Sequence, residues 1–119
     1  IYNKTTGYFF RGYANFDDSS DALVIGTTVP IINTAYVLTY QAVLGTGNPN
    51  TAIYMDGVLE TTDNNDYSDN DFGARFTIGN SNPLSTALDG VVQAVAIYNR
   101  ALTTPEIVRV GAILNSGSL

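Results

Sequence analysis

The sequence predicts an all-β chain, an antiparallel two-sheet β-sandwich closed by one short C-terminal helix. Three observations carry this. Short apolar or aromatic stretches recur between clusters of Gly, Asn, Asp, Ser and Pro, at the spacing of sandwich strands. Asp56-Gly57 separates two such stretches as the residue pair best suited to a two-residue hairpin turn. Thr103-Thr-Pro-Glu106 has the capping-box spacing that opens a helix. With 119 residues, 45% of them apolar, the chain suits one domain over residues 1–119. At that size about two-thirds of the unfolded surface can be buried, so a core forms without metal or disulfide staples.

Gly7 to Tyr13 reads as an aromatic-rich strand and residues 15–21 as an acidic turn. Ala22 to Ile25 and Val29 to Ile32 are short strand candidates around Gly26 and Pro30. Thr34 to Val43 alternates, with Tyr36, Leu38 and Tyr40 on one face. Residues 45–50 form a loop. Thr51–Met55 and Val58–Thr61 make a hairpin in which Met55 faces Val58 and Tyr54 faces Leu59. A polar loop spans 63–71, and Ala74 to Ile78 is a further strand, closed by 79–83. Gly90 to Tyr98 is nearly continuous in apolar residues, the pattern of a central strand buried on both faces, which places Val91, Val95 and Ile97 in the core. In the helix, Thr103 is expected to accept from the Glu106 N–H while Glu106 reaches back; Pro105 fits the first turn, and Gly111 marks the expected stop. Residues 115–119 read as a tail or linker stub.

Charge narrows the partners. Charged residues are only 13%, against about a quarter in an average soluble protein, and the net charge is −6. Lys4, Arg11, Arg75, Arg100 and Arg109 are scattered, so no basic patch exists to neutralise phosphates. Nucleic-acid and anionic-membrane binding are therefore not expected, and membrane insertion is not expected because the longest apolar runs are too short to span a bilayer. Cys is absent, which rules out a disulfide framework.

The stretch from Leu88 to Ile107, Leu-Asp-Gly-Val-Val-Gln-Ala-Val-Ala-Ile-Tyr-Asn-Arg-Ala-Leu-Thr-Thr-Pro-Glu-Ile, closely resembles the C-terminal signature of laminin-G-like jelly rolls. These belong to the concanavalin A-like lectin and glucanase superfamily. Ala52-Ile-Tyr-Met-Asp-Gly-Val-Leu59 is similar to the family's Tyr-Val-Asp-Gly hairpin. Together the matches cover roughly Thr34 to Ile113. The resemblance implies a concanavalin A-like jelly roll in which Arg100 reaches back to loop acids and Leu102 and Ile107 staple the helix to the sheet. The front departs from the family: too little chain precedes Tyr8 for the usual opening strands. The sandwich is thus expected to be N-terminally incomplete, completed by another segment or chain. Tyr36 also stands where many relatives have Trp.

Catalysis is not expected. His and Cys are absent, so neither a Ser–His–Asp triad nor a Cys–His pair can form. Retaining glycoside hydrolysis needs two carboxyl groups about 5 Å apart. The two Glu residues, Glu60 and Glu106, instead fall on a hairpin and in a helix cap. Calcium is the candidate cofactor. Asp63, Asp66, Asp69 and Asp71, with Asn64, Asn65 and Asn70, offer oxygen ligands in one loop, without EF-hand spacing. A second cluster is Asp17, Asp18 and Asp21. The competing reading is a solvated turn, since Asp and Asn favour turns through their own backbone hydrogen bonds.

Candidate ligand contacts are Arg11, Tyr13, Tyr36, Tyr40 and Tyr67, because sugars stack on aromatic faces and bond to planar polar groups. Tyr is also ordinary packing material in sandwich strands. Asn3-Lys4-Thr5 is an N-glycosylation sequon. The expected function is a non-catalytic lectin-like module of an extracellular or virion surface protein, binding glycan or a surface polymer. The alternative is a structural decoration or assembly domain with a protein partner.

Overall fold

The computed structural model describes residues 2–4, 7–15, 21–43, 51–63, 78–79, 88 and 90–116. Expectations for 45–50, the strand body at 74–77, Asp17, Asp18, Thr5 and 117–119 lie outside them. The described elements are β1 (Tyr2–Lys4), β2 (Gly7–Phe9), β3 (Arg11–Asn15), β4 (Asp21–Ile25), β5 (Leu38–Ala42), β6 (Thr51–Met55), β7 (Val58–Asp63) and α1 (Thr104–Ser116). All pairing among the described residues is antiparallel: β1 with β2, β3 with β4, and a three-stranded sheet ordered β5-β6-β7.

The strand expected over residues 7–13 divides at Phe10, where the pairing partner changes. Tyr2 faces Phe9 on one side of the break and Arg11 faces Ile25 on the other. The Phe10 carbonyl accepts from the Gly26 N–H at 2.8 Å, which holds the end of β4 beside the break.

Residues 29–32, expected as a strand, form a turn instead. Pro30 has no N–H to donate to a ladder. Asn33 adopts φ 63°, a left-handed conformation that Asn tolerates, and the Thr34 N–H donates to the Ile31 carbonyl at 3.2 Å. The next strand narrows to Leu38–Ala42 because Asp56 occupies both backbone groups of Val37. The Val37 N–H donates to Asp56 Oδ1 and the Asp56 N–H to the Val37 carbonyl, each at 2.8 Å.

The Asp56-Gly57 hairpin forms with Met55 facing Val58 and Tyr54 facing Leu59. Both turn residues have positive φ, 50° and 82°. A Cβ on Gly57 would stand 3.0 Å from Val108 Cγ2 and 3.3 Å from Val108 Cα. Gly57→Val therefore meets backbone strain and the helix at once. A loss of at least ~1 kcal/mol is expected in chemical denaturation, and a wild-type midpoint would contradict this geometry.

β6 is the centre of the fold, and every residue in it is buried. Ala52 and Tyr54, on one face, form the core cluster with Ile107 of α1, and Leu102 packs against it. Alternation sends Thr51, Ile53 and Met55 to the opposite face. The β3–β4 hairpin lies against β6 and β7, and Val24 of β4 is buried.

Two expectations near the C-terminus are corrected. Residues 91–98 form no ladder with any described strand, and Val91, Val95 and Ile97 are 86%, 51% and 73% exposed, so they are not core residues. Apolar composition suits a segment to burial, but burial also needs a partner strand, and β6 already takes β5 and β7 as its neighbours. The helix, in turn, passes through Gly111 to Ser116. Gly111 keeps helical backbone and is buried, with the site of its absent Cβ 3.7 Å from Val37 Cγ1.

Candidate recognition surface

The side of the molecule carrying the loop after β4 is organised by Glu60. In the β6–β7 ladder Tyr54 faces Leu59 and Ile53 faces Thr61, so Glu60 is the extra residue of a bulge. Bulges re-aim side chains out of the regular alternation. Here the carboxylate collects four donors from Thr27 and Thr28. Oε2 accepts from the Thr27 N–H (2.7 Å), the Thr27 hydroxyl (2.9 Å) and the Thr28 N–H (2.7 Å), while Oε1 accepts from the Thr28 hydroxyl at 2.7 Å. Partial burial pushes the Glu60 pKa up, but the bonds from Thr28 and Thr27 outweigh it and leave it below its ordinary value.

The loop beyond is held by further contacts. The Ile31 N–H donates to the Tyr36 hydroxyl at 3.0 Å. Tyr36 meets Phe10 edge to face, with centroids 5.8 Å apart. A shallow groove of about 210 Å³ is lined by Val37, by Asp56 of the hairpin turn, and by Val108, Gly111, Ala112 and Asn115 of α1.

A second carboxylate closes the helix N-terminus. Glu106 accepts from the Thr103 N–H at 2.8 Å and the Thr103 hydroxyl at 3.0 Å. The expected capping box is thus half realised. The hydroxyl donates to the ionised carboxylate, a stronger acceptor than a neutral oxygen, rather than accepting from the Glu106 N–H. Arg100 also binds Glu106, with Nη1 to Oε2 at 2.9 Å and Nη2 to Oε1 at 2.7 Å. It turns to the helix cap, not back to loop acids as the resemblance implied.

The Arg100 hydrogen bonds, followed by those from Thr103, lower the Glu106 pKa from 4.5 to about 2. A depressed carboxylate contributes stability that is complete above its unfolded pKa and lost as pH falls through the folded one. The cap is therefore expected to loosen between about pH 4.5 and 2. Glu106→Gln should flatten that part of an acid titration followed by far-UV circular dichroism. An unchanged acid limb would show that this cap does not contribute.

Of the candidate ligand contacts, Arg11, Tyr13, Tyr36 and Tyr40 are among the described residues. Arg11 and Tyr13 lie on β3, opposite Ile25 and Leu23. Tyr36 holds the loop after β4, and Tyr40 lies half-buried on β5 opposite Ile53. Of the acidic clusters, Asp63 ends β7 opposite Thr51, within the strand rather than the loop, and Asp21 opens β4 opposite Asn15. Tyr67, Asp66, Asp69 and Asp71 lie outside the described residues. Among the described residues no three acidic side chains come together, and no helix is long and apolar enough to cross a membrane. The Glu60–Thr27–Thr28 clamp escaped sequence reading, because nothing in the spacing of these residues links them. A sandwich hairpin carrying one of only two Glu residues was the available hint.

The described core is antiparallel and mostly β, with the C-terminal helix packed on its central strand. A laminin-G family model, described as the concanavalin A-like lectin/glucanases superfamily, matches residues 2–108. The chain belongs to this superfamily. The match includes the front residues, well before the Thr34 limit set by motif reading. No curated protein and no solved structure matches the chain.

Proposed function

We propose that this chain is a non-catalytic, lectin-like recognition module of an extracellular or virion surface, binding glycan or a surface polymer. Its strands would close as a two-sheet jelly roll. Membership of a lectin and glucanase superfamily carries the carbohydrate part of the reading. The non-catalytic part is supported by the two Glu residues. Glu60 is saturated by Thr27 and Thr28, and Glu106 by Thr103 and Arg100. A general acid must hold a proton near working pH, and both carboxyl groups are shifted the other way.

Calcium remains the proposed cofactor, taken by the acidic segment that begins at Asp63. A glycan array run with calcium and with chelator tests the reading. Binding that weakens in chelator supports both parts, and chelator-resistant binding retains the lectin and removes the calcium. Binding to no glycan would sink the lectin reading, and release of reducing sugar from a bound glycan would sink the non-catalytic one. The exposed apolar side chains at Ile31, Ile32, Val91 and Ile97 favour the second reading, a structural or assembly domain with a protein partner.

A further inference from the structure

The groove against α1 joins one carboxylate to an apolar floor, and its parts fall in a fixed order. The hairpin turn abuts the helix at Val108, where a Cβ on Gly57 would stand 3.0 Å from Val108 Cγ2. Val37 comes next. Gly111 has no Cβ, and Val37 Cγ1 lies 3.7 Å from where that atom would be. Ala112 and Asn115 continue the same helix face. From Val108 to Asn115 the helix rises about 10 Å, so Asp56 stands at one end of the groove and Asn115 at the other.

The Asp56 carboxylate is only half used. Its Oδ1 accepts from the Val37 N–H, while among the described residues no donor reaches Oδ2. No cation lines the groove among these residues either. Arg100 is held by Glu106, and Arg109, one position past Val108, stands about 100° round the helix from it. On a chain of net charge −6, such a groove is complementary to a positive group. Its volume of about 210 Å³ falls below the ~300–1,000 Å³ of small-molecule sites, leaving room for one side chain. Val37, Val108 and Ala112 suit a methylene stem, and a single open carboxylate oxygen suits a compact ammonium. A guanidinium gains most from two carboxylate oxygens at once, and here one is already committed.

We infer that this groove receives a lysine side chain from a partner protein, its stem along Val37 and Ala112 and its ammonium donating to Asp56 Oδ2. Asn115, whose amide both donates and accepts, then meets the partner's backbone where the lysine enters. The inference does not rest on glycan binding.

Amide NMR of the isotope-labelled chain, titrated with Nα-acetyl-lysine methylamide, tests it. Saturable shifts are expected at Val37, Gly57, Gly111 and Asn115 at millimolar probe, since one exposed ion pair is a weak contact. The Nε-acetylated probe, which keeps the stem and loses the charge, and the arginine counterpart should each bind about fivefold more weakly. Asp56→Asn keeps an oxygen for the Val37 N–H and tolerates the φ of 50°. It should therefore fold as wild type yet lose about fivefold in affinity. Ala112→Leu, which fills the groove from an exposed helix position, should weaken binding as much without touching charge. Unchanged binding by Asp56→Asn, or an equal response to the Nε-acetylated probe, would overturn the proposal. So would the absence of any shift, or shifts scattered over the acidic residues at large, which mark bulk attraction. An equal response to the arginine probe would overturn the assignment to lysine.

Discussion

Ile107→Ala is expected to lower stability by ~2–5 kcal/mol, the range for truncating a buried branched side chain. Ile107 is 1% exposed and joins Ala52 and Tyr54 in the only core cluster that spans sheet and helix among the described residues. The cavity would open between a helix and the central strand, and neither can collapse into it without disturbing the β5-β6-β7 ladder. Against a total stability of ~5–15 kcal/mol, that loss decides whether the domain holds together. Val108→Ala is the control. Val108 is the next residue but 52% exposed, so its truncation should stay within about 0.5 kcal/mol. Tyrosine fluorescence during urea denaturation reads both, since the chain has no Trp. Equal effects from the two substitutions would mean that α1 is not anchored where the structure places it.

Glu60→Ala should release the loop after β4. Four donors converge on this carboxylate, and hydrogen bonds to an ionised group contribute ~1.5–3 kcal/mol each when sheltered. Thr27 is exposed and Glu60 half-buried, so water replaces much of this. The net expectation is on the order of 1–2 kcal/mol in stability. The local effect is larger. Amides of Thr27, Thr28 and Ile31 should lose hydrogen-exchange protection together, while those of β6 keep theirs. Glu60→Gln separates charge from shape, because its amide oxygen accepts but its NH₂ faces donors. Recovery of protection in Glu60→Gln would show that acceptor geometry alone holds the loop. Undiminished protection in Glu60→Ala would remove the clamp from the account.

The Glu60 pKa is lowered in the folded chain. Its contribution is therefore present above the unfolded carboxylate pKa and disappears on acidification, and the loop should open in acid along with the helix cap.

Local chemistry alone determined the parts of this protein whose causes lie within a few residues. Asp56-Gly57 makes its turn because adjacent positions tolerate positive φ. Thr103 and Glu106 cap α1 because three residues of spacing brings them together. Leu102 and Ile107 reach the sheet because the helix begins where that cap puts it. The family followed from the same two segments, whose residue order is unusually specific. Tertiary structure decided whatever needs a partner distant in the chain. Residues 91–98 are as apolar as a central strand, but periodicity records a preference for burial and not the neighbour that provides it. Val37 left the ladder because Asp56 was there to bind it, and the helix outran Gly111 because the backbone there stays helical against Val37. The Glu60 clamp joins residues more than thirty positions apart through a one-residue bulge. Side-chain alternation cannot register such a bulge, since a single inserted residue changes where a carboxylate points without changing the composition around it.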